Sequence, residues 1–468
     1  MLWSRFNTLF YSRQFGHFLY NALSNTLIEL DEGYYDTLEA FRNYELVPGE
    51  CADNDFIALL FDNKILLEEG EEDPLLLSRQ YRRHTRIFDS SRLVLTITPT
   101  LQCNFRCPYC FEHSQSDSAV MTPDTVERVL HFIKSYKDIR HLSLAWYGGE
   151  PLLAFDVIRD ITEKINSLDI EFEGAGIITN GYLLDSEKIA QLNELKINSI
   201  QITLDGPEDV HDTRRVLVGG GPTFRRIMNN VDALMNSNYK GVCTIRVNID
   251  KHNSARYIEL RTAILEQFKG KKLSVYTGHV NTAKGNSYDH TCTMDMQEWK
   301  DFALDKHLIS GHHTGGFYPS GNFDSLCIAT THLGFVVGPK GELYKCWEDV
   351  GNATMIIGSI FQENPVTNPE LQALYSIGID PYNDLNCREC SVLPICGGGC
   401  ASKRLKRKNS REEVPEFCSP YKENLIAYLE AYIDSFRSSE ICTALLSHSA
   451  TKQNNKGFRI ISPEKTNT

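Results

Sequence analysis

Between residues 93 and 285, six short apolar, β-branched runs alternate with helix-like segments. The runs are LVLTIT, HLSLAWY, AGIIT, SIQITL, VCTIRVNI and KLSVYT. Between them lie amphipathic stretches such as TPDTVERVLHFIKSY, DVIRDITEKINSL and TFRRIMNNVDALM. Strands separated by helices become parallel neighbours, because the crossover needs the helix to bridge the sheet. This alternation predicts an α/β fold. Six units are too few for an eight-fold barrel, so they fit a partial (β/α)6 TIM-type barrel or an open doubly wound sheet. Either way the carboxyl ends of the strands share one face, and ligands bind there.

The unusual residues fall at those ends. After the first strand comes CNFRCPYCFE, with Cys103, Cys107 and Cys110 at C-x3-C-x2-C. YGGEP follows the second, with Gly148, Gly149 and Glu150. TNG follows the third, with Asn180. The fourth closes on Thr203 and Asp205 in TLDG, and the fifth ends in RVNID. Taken singly, GGEP and TNG are ordinary turn chemistry. HDTRR, from His211 to Arg215, has no nucleophile elbow beside it. The three thiols need a reason, since a closed zinc site takes four ligands and an iron–sulfur cube usually takes four thiolates. Spacing alone leaves both a zinc site completed from elsewhere and an iron–sulfur site open.

The flanks differ in character. Residues 1–75 open with strand-like NTLFYSR and NTLIEL, and DEGYYDTLEAF reads as a helix capped by Asp31. This predicts a small winged-helix-like α+β domain. The charged stretch to residue 92 reads as a linker (76–92) kept open by repulsion. The sheet region extends over 93–310. From 311 to 445 the chain is loop-rich and dense in cysteine, with a helix from 421. Residues 446–468 are polar and read as a disordered tail. The net charge of −13 and pI near 5.6 argue against nucleic acid and an anionic membrane as partners. No apolar run reaches a membrane-spanning length and no signal-peptide core is visible, so the expected location is cytoplasmic. Thiols stay reduced there, so the fourteen cysteines are not read as a disulfide framework. Ten fall into two spaced groups. Cys51, Cys243, Cys292 and Cys442 stand alone, as small buried hydrophobes do.

The three-cysteine spacing after the first strand, Tyr109 just before the third cysteine, and GGE after the second strand together resemble the radical S-adenosylmethionine (SAM) enzymes. The resemblance covers roughly residues 93–285. It implies that three thiolates hold a [4Fe–4S] cluster and that SAM chelates the fourth iron. It also implies that reductive cleavage of SAM gives a 5′-deoxyadenosyl radical that abstracts hydrogen. Glu150 would then face the SAM ammonium, with Gly148 and Gly149 allowing close approach. Tyr109 would lie near the adenine. Asn180, Thr203 and Asp205 would sit near ribose or methionine polar groups, and Arg215 near the SAM carboxylate or the strand end.

The second cysteine group resembles the SPASM extension of these enzymes, with two auxiliary [4Fe–4S] clusters. Carried over, Cys387, Cys390, Cys396 and Cys418 would hold one cluster. Cys327, Cys346 and Cys400 would hold the other, leaving one iron open to a substrate thiolate unless the distant Cys292 closes it. SPASM enzymes mostly modify peptides or proteins. One branch matures ribosomally made peptides, installing thioethers, carbon–carbon crosslinks or epimers, often after an N-terminal domain takes the leader as an added strand. Another branch matures anaerobic sulfatases and carries Asp directly after the cysteine matching Cys346, where this chain has Trp347. The expected partners are a precursor peptide and a reductant such as flavodoxin or ferredoxin. A zinc-stabilised interaction protein is the reading from a different class.

Overall fold

The structure, a computed structural model, describes residues 2–110, 118–280, 288, 290–295, 297–299, 301, 302, 304, 305, 318, 319, 326–409, 417–447 and 457–463. The chain divides into two compact units. One comprises Met1–Arg86, Lys300–Leu326 and Ile379–Thr468; the other comprises Ile87–Trp299 and Cys327–Gly378.

In the first unit, β1 (Leu2–Trp3) pairs with β5 (Leu66–Leu67). β2 (Asn7–Ser12), β3 (Gly16–Asn21) and β4 (Thr26–Leu30) form an antiparallel meander. Asn25 makes the last turn with φ 55°, a conformation asparagine tolerates better than most residues. α1 (Glu32–Arg42) follows, and Asp31 caps it by accepting from Tyr34 N at 2.9 Å. Asp53 caps α2 (Asn54–Asp62) in the same way. The sheet is buried on both faces. Leu19, Ile28 and Leu30 pack with Leu38, Phe41, Phe56 and Leu60. Phe10, Phe18, Tyr20 and Leu27 pack with Leu425, Leu429 and Ile433 of the helix Tyr421–Ser447.

Two expectations are overturned in this unit. Most of the stretch read as an open linker is α3 (Glu72–Ile87). Its acidic residues cluster in the first turn and its basic ones at the far end, where they complement the helix dipole instead of repelling each other. Part of the polar tail is also ordered. β15 (Phe458–Ile460) adds to the free edge of β4, giving the order β15-β4-β3-β2. The rest of 446–468 lies mostly outside the described residues, as does the side chain of Cys442.

The second unit is the expected parallel sheet. β6 (Arg92–Ile97), β7 (His141–Trp146), β8 (Glu171–Thr179), β9 (Ile197–Leu204), β10 (Val242–Ile249) and β11 (Leu273–His279) run in sequence order with parallel pairing. Helices Pro123–Ser135, Phe155–Asn166, Ser186–Gln191, Phe224–Met235 and Tyr257–Gln267 lie between them. Among the described residues the sheet is not closed on itself, which suits a partial barrel. It is larger than the six expected strands. β12 (Gly334–Val337) joins parallel to β6, and β13 (Glu342–Tyr344) and β14 (Gly358–Ser359) continue antiparallel. β6 is therefore an inner strand. Among the described residues no helix is long and apolar enough to cross a membrane.

Candidate functional site

The three-cysteine loop leaves the carboxyl end of β6 and is clamped from two sides. On one side sits the GGE turn. Gly149 N donates to Thr100 O at 3.1 Å, and Glu150 N donates to Gln102 O at 2.8 Å. A Cβ on Gly149 would lie 2.3 Å from Gln102 O, and one on Gly148 (φ +125°) 2.5 Å from Thr100 O. The paired glycines let this turn lie directly on the backbone leading into Cys103. On the other side, Phe105 bridges Leu217, Arg106 N donates to Val216 O at 2.8 Å, and Val218 N donates to Asn104 O at 2.8 Å.

Glu150 is fully buried. One carboxylate oxygen accepts from Leu152 N (3.0 Å) and Thr179 Oγ1 (2.7 Å), and the other from Asn180 N (2.8 Å). The side chain thus ties the end of β7 to the end of β8. Burial raises its pKa against these bonds, as expected of a carboxylate short of a cation. Burial likewise pushes the Cys103 thiol up to about 12, with Glu150, Cys107 and Cys110 adding to the effect. The three thiols are near enough to feel one another's charge. Among the described residues, no three His, Cys, Asp or Glu side chains form a group that could hold a metal ion.

Tyr109 reaches across the sheet ends. Its hydroxyl donates to Asp205 Oδ1 (2.7 Å) and accepts from Arg215 Nη1 (2.9 Å) and Asn248 Nδ2 (3.3 Å). Asp205 also accepts from Arg214 Nε at 2.9 Å, and Arg214 Nη2 donates to Asp250 Oδ2 at 2.8 Å. The result is a buried four-charge network of two arginines and two aspartates. Burial works against the charge on Arg215, yet Cys107, Tyr109 and Asp205 together hold its pKa well above the ordinary value. Below the network, His211 Nδ1 accepts from Asp205 N, so its Nε2 carries the proton toward Thr223 Oγ1 at 3.0 Å. Burial, then Arg215 and Arg214, drive the His211 pKa well below its usual value.

Of the residues singled out in the sequence, the structure links Tyr109, Asp205 and Arg215 in one hydrogen-bond chain. It joins Glu150 and Asn180 in another, and Asn180 Nδ2 also donates to Asn104 Oδ1 at 2.8 Å. Thr203 is buried in β9 and belongs to neither chain among the described residues. Sequence reasoning passed over Arg214, His211 and Asp250, although RVNID stood at a strand end; His211 and Arg214 lie in the helix Glu208–Arg214. Three buried polar atoms near this site, Thr98 Oγ1, Asn104 Nδ2 and Arg215 Nε, have no hydrogen-bond partner among the described residues.

A sequence comparison decides the class. The pattern of the Radical SAM superfamily matches residues 97–263. This chain carries a radical SAM domain. The superfamily uses SAM and a [4Fe–4S] cluster, and the site fits such a pair: three thiols in one clamped loop, a buried carboxylate without an ion pair among the described residues, and buried donors without a partner among them. The radical SAM enzyme is 24% identical, over 71% of its length, to 95% of a cysteine-type anaerobic sulfatase-maturating enzyme of Clostridium perfringens (strain 13 / Type A). A radical SAM cyclopropyl synthase, TigE, of Paramaledivibacter caminithermalis is 21% identical over 47% of the chain and 52% of its own length. Among solved structures, anSMEcpe with bound AdoMet and a Cp18Cys peptide aligns with TM-score 0.54 at 20% identity, covering 76% of this chain and 99% of that one. Streptococcus suis SuiB bound to S-adenosylmethionine aligns with TM-score 0.50 at 19% identity, covering 88% and 97%. These likenesses show a shared fold.

The other cysteine set of the radical SAM enzyme is divided between the two units. Cys327 and Cys346 belong with the large sheet. Next to Cys346, Lys345 is fully buried, and its Nζ donates to Thr331 O (2.6 Å) and Gly334 O (2.5 Å). Burial lowers its pKa to about 7. Cys387, Cys390, Cys396, Cys400 and Cys418 belong to the first unit. Cys387, Cys390 and Cys396 pack against one apolar cluster. The buried Arg404 donates to Cys387 Sγ at 3.2 Å, and Lys422 Nζ stands 3.8 Å from Cys418 Sγ. The isolated Cys292 is hydrogen-bonded to His252 Nε2 at 2.7 Å. Trp347, where an Asp marks the sulfatase branch, lies 5.6 Å from the Tyr147 ring. The later Asp349 is buried and accepts from Tyr375 OH at 2.6 Å.

Proposed function

We propose that the enzyme binds a peptide and activates one of its C–H bonds, as the maturases of ribosomally made peptides do. The observation that carries this reading is the cysteine loop clamped against a buried Glu150 that makes no ion pair among the described residues. When bound, SAM and its cluster supply a 5′-deoxyadenosyl radical able to take hydrogen from an unactivated carbon. Cys103, Cys107 and Cys110 would hold three irons. An ionised carboxylate offers about four acceptor positions; Glu150 has three in use, so one remains for the SAM ammonium. Arg215, with its unpartnered Nε beside Cys107, suits an anionic group there. Tyr109 and Asp205 commit their polar atoms to each other and to the arginines, so they position the loop. Gly148 and Gly149 serve the same docking, Asn180 braces Asn104, and Thr203 stays in the sheet.

In the first unit, Cys387, Cys390, Cys396 and Cys418 would hold an auxiliary cluster. Cys327, Cys346 and Cys400 are assigned to another, open to a substrate thiolate. An open iron of this kind suits thioether formation, with carbon–carbon crosslinking and epimerisation as the other outcomes. Residues 1–75 would take the leader, and a flavodoxin or ferredoxin would supply the electron. Sulfatase maturation is the second reading, favoured by the relative that matches over 95% of its length. Trp347 in place of Asp, and the commitment of Asp349 to Tyr375, favour the peptide-maturase branch.

The test is iron, sulfide and zinc per chain after anaerobic reconstitution, followed by dithionite-driven assays on a precursor peptide and on a sulfatase-derived peptide. About twelve irons with matching sulfide is the expected result, with loss of a hydrogen pair or inverted chirality in the precursor. Conversion of the sulfatase peptide alone moves the assignment to the second branch. About four irons with zinc removes the auxiliary clusters.

A further inference from the structure

The N-terminal sheet already holds an added strand, and the chain supplies it. Residues 457–461 lie along the edge of β4 with Phe458 opposite Leu30, Arg459 opposite Glu29 and Ile460 opposite Ile28. Main-chain bonds run from Asp31 N to Gly457 O (2.7 Å) and from Ile461 N to Leu27 O (2.9 Å). Such bonds would serve any extended peptide, so specificity must come from the pockets between them. The pockets here are distinct. A Cβ on Gly457 would meet Asp31 Oδ2 at 1.8 Å, so a small residue is required. Phe458 is buried with its ring 5.1 Å from that of Tyr34 and 5.0 Å from that of Phe56. Arg459 pairs with Glu29 at 2.5 Å. Ile461 is buried, and its carbonyl accepts from Tyr432 OH at 2.6 Å.

The sheet edge and the aromatic socket come from residues 26–56, so both exist without the segment. The segment itself is short and outermost, and Ile460 is 48% exposed. An edge strand of three residues belongs to the parts of a fold that open most readily.

We propose that this edge is a peptide-binding groove and that residues 457–461 are its tethered occupant, which a peptide substrate must displace. The ligand is an extended peptide that reads small, aromatic, basic, aliphatic, aliphatic. The inference rests on the peptide-substrate reading, but its test needs neither SAM nor iron.

The probe is a fluorescein-labelled peptide of sequence GFRIISP, titrated by anisotropy into the full-length chain and into a Phe458→Ser, Ile461→Ser variant. A tethered occupant competes at high effective concentration. The variant should therefore bind the probe at least about tenfold more tightly than the parent chain does. A probe carrying serine for the phenylalanine should not bind. If the double variant does not fold, Arg459→Glu, which sets like charges against Glu29, opens the same edge and should give the same gain. Equal binding by parent and variant, or equal binding of the serine probe, overturns the proposal. Tight probe binding by an enzyme that modifies no peptide would leave the groove standing and remove the functional reading instead.

Discussion

Arg214 is the most sensitive point of the radical SAM site, and replacing it by methionine tests the whole network. Its guanidinium lies 2.9 Å from Asp205 and 2.8 Å from Asp250, both with fully buried carboxylates. Among the described residues, Arg215 is the other cation paired with Asp205, at 3.8 Å. Two aspartates and two arginines balance. Arg214→Met keeps the bulk of the side chain but leaves one buried negative charge in excess. Removing one partner of a buried pair costs about 3–5 kcal/mol. Asp250→Asn alone leaves the opposite excess. The double variant is neutral again, so the two losses should not add. A favourable coupling of about 1–3 kcal/mol is expected for groups in contact. Urea unfolding of metal-free protein, followed by tryptophan fluorescence, reads this directly, since Trp146 is buried in β7 beside the site. A loss under about 1 kcal/mol for Arg214→Met, or strict additivity in the double variant, would refute the assignment of Arg214 as the keystone of a charge-balanced network.

Other perturbations have equally definite outcomes. Gly149→Ala drives a Cβ into backbone at Gln102; about one cluster's iron should be lost on reconstitution while the first unit's cysteines, from Cys387 to Cys418, stay loaded. His211 is buried neutral with a depressed pKa. The unfolded state therefore binds more protons below about pH 6.5, and stability should fall as pH drops below that value. His211→Gln should flatten the dependence of urea midpoint on pH between about 5 and 7. Arg404→Gln removes a donor from Cys387 Sγ; the midpoint potential of the cluster assigned there should move negative in an EPR-monitored titration, because hydrogen bonds to the sulfurs help set it. Lys345→Met strands the carbonyls of Thr331 and Gly334, at about 1–3 kcal/mol for each buried group left unpaired, read by thermal unfolding.

The parallel sheet was legible because strand and helix periods alternate cleanly over 93–285, and the cysteine loop because its spacing has few other uses. The partners of that loop were harder to read. Gly148 and Gly149 announced a close approach, but only the structure identifies what they approach: the backbone of Thr100 and Gln102. Arg214 and Arg215 are adjacent and chemically alike, and their different roles come from which way the end of the short helix Glu208–Arg214 turns them. The helix Glu72–Ile87 was hidden by reading its charges as repulsive when their order along the chain is favourable. β12 and β15 were missed for a shared reason. Each is three or four residues long, and its partner strand lies hundreds of positions away, where no local pattern points to it.

That last separation has a consequence in time. The strand that carries the cysteine loop is flanked on one side by β7, close in sequence, and on the other by β12, whose Gly334 pairs with Val94. At about 5–20 residues per second, roughly 10–50 s of synthesis separate the two partners. Throughout that interval the loop's parent strand presents an open edge on a nascent chain. Either the thiols acquire iron while that edge is bare, or they wait for it to close. Pulse-labelled ribosome-bound chains arrested before and after residue 337 would show which order the protein follows.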